Sequence, residues 1–255
     1  MKSLYTKEEL QEELKAMGLK KGMRVCLQVS PSLAEHIIGG YQSVLSAVMN
    51  VVTKKGCVIV PTFDFSNLDP SCQKDIPLEQ WETVRNHMPG YHPRLSGCDQ
   101  LGNQFLKNEG VERSTHPVYS FAYWGTYRSA WLESRSDYPI TFETSLVPLN
   151  RKDSCNLLLG VKTEDALLLP AIAQVIGLGQ IYVQKAKINN PRRSSFKKYL
   201  NIRLSKEQKE ECLERCKIKE KDWNHQSFKM LSTDIKSDKI KDISSSVSLM
   251  ELSNR

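Results

Sequence analysis

The feature that most constrains the fold is a strand, helix and second strand between residues 24 and 61. Arg24 to Val29 reads as an apolar strand. Gly39 and Gly40 then open a helix in which Val44, Leu45, Val48, Val51 and Val52 recur at helical spacing, and Gly56 ends it. Cys57-Val58-Ile59-Val60-Pro61 is wholly apolar, as expected of a strand covered on both faces. A span of about 38 residues arranged in this way is a βαβ unit, with a right-handed crossover expected.

The rest of the chain continues the alternation. Thr6 and Glu9 form a capping box, Leu10, Leu14 and Met17 make an apolar stripe, and Gly18 stops this first helix. Residues 64–100 hold Pro70, Pro77, Pro89, Gly90, Pro93 and Gly97, too many breakers for a long element. A loop of that length in a compact domain is functional or locally structured. Helices are expected over 100–108, near 127–134, over 164–176 (with Pro170 comfortable in a first turn), over 205–216 and over 237–252. Strands are expected over 118–124, 156–161 and 181–188. The pattern predicts the α/β class: one domain over residues 1–255, with a central mixed, largely parallel sheet flanked by helices.

Composition narrows the functional classes. The seven cysteines are scattered and form no Cys-x-x-Cys pair, so no zinc ribbon or thioredoxin motif is available. Cys212 and Cys216 share a helix face but would need two further ligands, and inert buried thiols are the expected reading; no metal is expected. Charged Lys2, Lys7, Glu8 and Glu9 interrupt any apolar leader, and the longest apolar run, 166–176, is too short to span a bilayer. A cytoplasmic protein without a membrane partner is expected. The net charge of +7 is concentrated: residues 184–222 contain 13 Lys/Arg and 6 Asp/Glu, a surplus of seven that leaves the remainder neutral. Residues 204–219 mix both signs, like a solvated helix face. The acid-free run 191–199 is the better anion-binding candidate, suited to a phosphorylated cofactor; nucleic acid would suit it too, but no nucleic-acid motif accompanies it.

The densest chemistry lies in Arg113-Ser114-Thr115-His116-Pro117-Val118-Tyr119-Ser120-Phe121-Ala122-Tyr123-Trp124-Gly125. Arg113 can pair a phosphate or an acid bidentately, and Pro117 pins His116 into an extended conformation. Pro61-Thr62-Phe63 ends the second strand, where open α/β sheets bind ligands, so Thr62 and Asp64 are placed to face a site or to cap a turn. Ser30 and Ser32 lie in the turn after the first strand, where hydroxyls suit phosphate binding or an ST-turn.

These segments resemble the aminoglycoside N(3)-acetyltransferase family. The match covers its Arg-Ser-x-His-Pro-x-x-Ser-x-Ala-x-x-Gly signature, its Pro-Thr-Phe, and its Leu-Leu-Gly-Val at Leu158-Leu159-Gly160-Val161. The resemblance implies an acetyl-CoA-dependent N-acetyltransferase acting on an amine of an aminoglycoside or other amino sugar. With it, Ser30, Ser32, Thr62, Arg113 and Ser120 become the candidate acetyl-CoA contacts and His116 a catalytic candidate; Glu164 and Asp165, an acidic pair beside the expected site, are further catalytic candidates or simply charge at a helix start. Four departures matter. Gln28 stands where the family reads histidine. Beyond Gly160, the family's Thr-x-x-His-x-x-Glu falls on Leu167, Pro170 and Ala173. An ammonium substrate must lose a proton before its nitrogen attacks a thioester, and a positioned base typically contributes roughly 10²–10⁴-fold. Three explanations follow: an inactive homologue serving as a CoA-binding or protein-interaction module, an acceptor of low intrinsic basicity, or a replacement base such as His116, Glu164, Asp165 or His36.

Overall fold

The structure, a computed structural model, describes residues 3–133, 138–189 and 195–235. The expected βαβ unit is present as β1 (Arg24–Val29), α3 (Gly40–Val52) and β2 (Cys57–Pro61). It is preceded by α1 (Lys7–Ala16), and the four-residue α2 (Pro31–Ala34) leads into α3. The capping box is formed: the Glu9 amide donates to Thr6 Oγ1 at 3.2 Å and the Thr6 amide donates to Glu9 Oε2 at 2.7 Å. Downstream come α4 (Trp81–His87), α5 (Gln100–Phe105), β3 (Glu112–Arg113), β4 (Phe121–Gly125), β5 (Ser154–Leu159) and α6 (Leu168–Ile176). The chain continues through β6 (Gln180–Ile188), β7 (Ser195–Arg203), α7 (Lys206–Glu214), β8 (Cys216–Trp223) and β9 (Gln226–Thr233).

Seven strands form one mixed sheet in the order β3-β4-β2-β1-β5-β9-β8. Parallel pairing is confined to β2, β1 and β5 at its centre, while β4, β3, β9 and β8 add antiparallel flanks. The central strands are apolar because both their faces are covered. Val25, Leu27, Val58, Val60, Leu157 and Leu159 point into a layer built with α1, α3 and α5. Cys26, Cys57, Ile59 and Leu158 point into the opposite layer, filled by α6 and by Cys212 of α7. Burial pushes the Cys57 and Cys155 thiols up to about 12, the behaviour of inert core thiols.

Several elements differ from the sequence expectation. The helix expected near 127–134 is a 3-10 turn at Ser129–Leu132, with Ser134 outside the described residues. The helix expected over 164–176 divides into a 3-10 turn at Thr163–Asp165 and α6, with Pro170 in the first turn of α6. The helix expected over 237–252 lies outside the described residues. Residues 64–100 contain 3-10 turns and α4. They are held by a bidentate Arg85–Asp69 pair, both bonds 2.9 Å, and by bridges from Leu68 and Tyr91 to β6. Of the basic run 191–199, residues 191–194 lie outside the described residues. The rest is strand β7, whose alternation sends Lys197 and Lys198 to opposite faces and so divides the expected patch.

Candidate active site

The carboxyl ends of β1, β2 and β5 meet at one edge of the sheet, the edge where open α/β sheets bind ligands. Ser30, Thr62 and Gly160 follow directly on these three strands. Because β4 runs antiparallel to β2, its start brings Ser120 beside Thr62.

Thr62, Arg113 and Ser120, distant in sequence, form a single buried cluster. Arg113 Nε donates to Thr62 Oγ1 at 3.1 Å and to Ser120 Oγ at 3.0 Å. Its Nη2 donates to the Thr62 and Gly97 carbonyls, and its Nη1 to the Ser96 carbonyl at 2.5 Å. The guanidinium carbon lies 5.2 Å from the centre of the Tyr91 ring. The fork is therefore occupied by protein acceptors, and Arg113 ties the 64–100 segment to the ends of β2 and β4. Asp64, beyond Thr62, accepts from the Ser66 amide at 3.1 Å and caps a turn.

Ser30 and Ser32 form a second group. Ser30 Oγ caps α2 by accepting from the Leu33 amide at 3.2 Å, and Ser32 Oγ accepts from Gln226 Nε2 at 3.3 Å. Gly160 has φ +69°, and a Cβ there would stand 2.3 Å from Ser30 Oγ and 2.8 Å from Gln226 Oε1. The result is a close-packed polar cluster that exists only because residue 160 lacks a side chain.

Beside this cluster, Gln28 and Asn156 fix the approach to α6. Gln28 Oε1 accepts from the Leu167 amide at 2.9 Å and from Asn156 Nδ2 at 3.1 Å, while Gln28 Nε2 donates to the Asp165 carbonyl at 3.0 Å. Asn156 Oδ1 accepts from the Leu168 amide at 3.1 Å. The first-turn amides of α6 are thus satisfied by two side chains from β1 and β5. Glu164 and Asp165 are exposed at the head of this turn. Pro170 is half-buried, and Ala173 is fully buried in the apolar layer.

His116 is apart from both groups. Its Nδ1 accepts from the Tyr119 amide at 2.9 Å and the Val118 amide at 3.2 Å. A ring accepting at Nδ1 carries its proton on Nε2, which is buried and has no hydrogen-bond partner. The ring packs edge-on against Tyr199, with centroids 4.7 Å apart. Burial, with a smaller contribution from Lys197, pulls its pKa down to about 3. This is a neutral imidazole with its basic lone pair occupied, which is not the state of a general base near pH 7. His36, another candidate, bonds the Ser32 carbonyl through Nδ1 at 2.7 Å.

Gln28, Asn156 and Gln226 are site residues that sequence reasoning did not assign. The available signal was an amide interrupting an otherwise apolar buried strand, as Asn156 does in β5.

Residues 28–237 match the family described as aminoglycoside 3-N-acetyltransferase. The SPbeta prophage-derived aminoglycoside N(3')-acetyltransferase-like protein YokD of Bacillus subtilis (strain 168) is 34% identical over 165 residues, covering 61% of this chain and 60% of that protein. Aminoglycoside N(3)-acetyltransferase IX of Micromonospora chalcea is 30% identical over 169 residues, covering 64% and 60%. The chain thus spans about 60% of the length of these curated relatives. The crystal structure of YokD superposes with a TM-score of 0.80 at 25% identity, covering 96% of both chains. AAC-IIIb, solved as a binary complex with CoASH, shares the fold with a TM-score of 0.71 at 16% identity, covering 98% of this chain and 100% of that one.

Proposed function

As the chain belongs to the aminoglycoside 3-N-acetyltransferase family, we propose that it binds acetyl-CoA along the carboxyl-end edge of β1, β2 and β5. There it transfers acetyl to an amine of an aminoglycoside or another amino sugar, at a reduced rate and in the cytoplasm. Membership of the family and the CoA-bound neighbour support the acetyl donor. The observation that carries the reading is a hydroxyl-bearing strand end. Ser30 and Ser32 set their hydroxyls beside the Gly160 backbone, while in the ungapped match Pro170 and Ala173 fall where the family has its histidine and glutamate.

In the proposed reaction the amine gives up a proton, its nitrogen forms a bond to the acetyl carbon, the carbon–sulfur bond breaks, and the CoA thiolate leaves. Glu164 and Asp165, exposed at the head of α6, are the groups left to attract the ammonium or take its proton. Arg113, Thr62 and Ser120 act as positioning residues, because their hydrogen bonds are spent on one another and on the 64–100 segment. His116 is likewise a positioning residue that orders the Val118–Tyr119 backbone.

A second reading, an inactive CoA-binding or interaction module, is favoured by the burial of Ala173, which leaves no polar setting for a carboxylate at that point. Release of CoA thiol from acetyl-CoA, measured with a panel of amino sugars and aminoglycosides, separates the two. Slow release that rises at least about tenfold in Pro170→His supports the transferase. Binding of acetyl-CoA with no amine-dependent release from either protein establishes the module instead.

A further inference from the structure

The β6–β7 hairpin has a face that the acetyl-transfer reading does not use. Residues 180–203 contain four lysines and three arginines and no aspartate or glutamate. Pairing sorts the described side chains onto two faces. Tyr182 with Asn201, Gln184 with Tyr199 and Ala186 with Lys197 share one face, on which Gln184, Ala186, Tyr199 and Asn201 are buried. On the other face, Ile181 stands opposite Ile202, Val183 opposite Leu200, Lys185 opposite Lys198 and Lys187 opposite Phe196. Ile181 is 54% exposed, Val183 46% and Phe196 38%. Lys187 is withdrawn to the end of α4, where its Nζ donates to the Arg85 carbonyl at 2.7 Å. Lys185 and Lys198 have no salt-bridge partner among the described residues.

This face carries two costs. Like charges directly opposed across a ladder destabilise it, and three large apolar side chains remain in water. One kind of partner removes both: an anionic layer with an apolar region just beneath it. A nucleic acid or free phosphate would neutralise the lysines and leave Ile181 and Val183 wet. An uncharged apolar partner would cover the aliphatic residues and leave the lysines opposed. We propose that the outer face of the hairpin docks on an anionic membrane surface. Ile181, Val183 and Phe196 enter the boundary between headgroups and acyl chains, and Lys185 and Lys198 pair with lipid phosphates. Such docking needs no spanning segment, and no helix among the described residues is long and apolar enough to cross a membrane. The proposal stands independently of acetyl transfer.

The test is co-sedimentation of the full chain with phosphatidylcholine vesicles, with and without phosphatidylglycerol. Binding is expected only to the phosphatidylglycerol vesicles. The double variant Lys185→Ala/Lys198→Ala is expected to lower it about thirtyfold, roughly fivefold for each lysine. Ile181→Ser/Val183→Ser should lower it as well, with its melting temperature preserved because both side chains are exposed. Binding should survive excess CoA. Four results would each overturn the proposal: no binding to anionic vesicles, equal binding to neutral ones, displacement by CoA, or retention on duplex DNA without vesicle binding. Lysine-dependent binding that ignores the Ile181 and Val183 substitutions would also overturn it, because it would be purely electrostatic.

Discussion

Two buried side chains, Arg113 and His116, set the chemistry at the residue scale. Arg113 has its nitrogens committed to Thr62, Ser96, Gly97 and Ser120, so replacing it removes the hydrogen bonds that tie Ser96 and Gly97 to the Thr62–Ser120 pair. Hydrogen bonds to a charged group contribute about 1.5–3 kcal/mol each. Arg113→Met should therefore lower the unfolding free energy by at least about 2 kcal/mol in denaturant titration, with Arg113→Lys recovering only part, since an ammonium cannot reproduce the fork. A loss below about 0.5 kcal/mol would mean that the cluster is not holding the 64–100 segment.

His116 makes a prediction with a sign. Its folded pKa of about 3 lies below the ordinary 6.5, so the unfolded chain takes up the proton first as pH falls. The stability it contributes is complete above pH 6.5 and is lost progressively as pH drops from 6.5 towards 3. Asp69, held down to about 2 chiefly by its hydrogen bonds to Arg85, adds a loss only below its ordinary 3.8. The imidazole resonance of His116, followed by NMR, should stay at its neutral position down to pH 5. A midpoint near 6.5 would contradict its burial.

At the scale of elements, the start of α6 is the decisive piece. Its first-turn amides are satisfied by Gln28 and Asn156, two amide side chains reaching out of a parallel sheet. Gln28→Ala removes three hydrogen bonds at once and should cost about 1–3 kcal/mol, with faster hydrogen exchange at the Leu167 amide. Exchange unchanged at that amide would show that the turn holds itself. At the neighbouring strand end, Gly160→Ala combines a left-handed φ with a 2.3 Å clash against Ser30 Oγ. It should both destabilise the fold and abolish acetyl-CoA binding.

How far the sequence was legible follows from the same elements. Strands β1, β2 and β5 were readable because burial on both faces demands mainly apolar runs, α3 because its apolar residues recur at helical spacing, and α1 because of its capping box. Strand β8 was not, because at the edge of the sheet it is largely exposed and reads Cys-Lys-Ile-Lys-Glu-Lys-Asp-Trp, with charges in place of an apolar pattern. Strand β7 was hidden in the same way inside a basic run. Arg113 was legible as a polar centre but not as a clamp. Its partners at Ser96 and Gly97 are backbone carbonyls from a breaker-rich segment, and sequence does not say where such carbonyls point.

At the scale of the whole molecule, the fold and family of the aminoglycoside 3-N-acetyltransferases are present, and the strand ends carry the hydroxyls of Ser30 and Ser32 beside Gly160. The central claim is the proposed one, that this edge takes acetyl-CoA although Pro170 and Ala173 fall where the resemblance places the family's histidine and glutamate. Calorimetric titration of the folded chain with acetyl-CoA tests it most directly. Saturable binding at micromolar or tighter affinity, lost in Gly160→Ala, is the predicted result. No detectable heat from a protein whose folding is verified in the same sample would contradict the account and leave a family fold that no longer binds the family's acetyl donor.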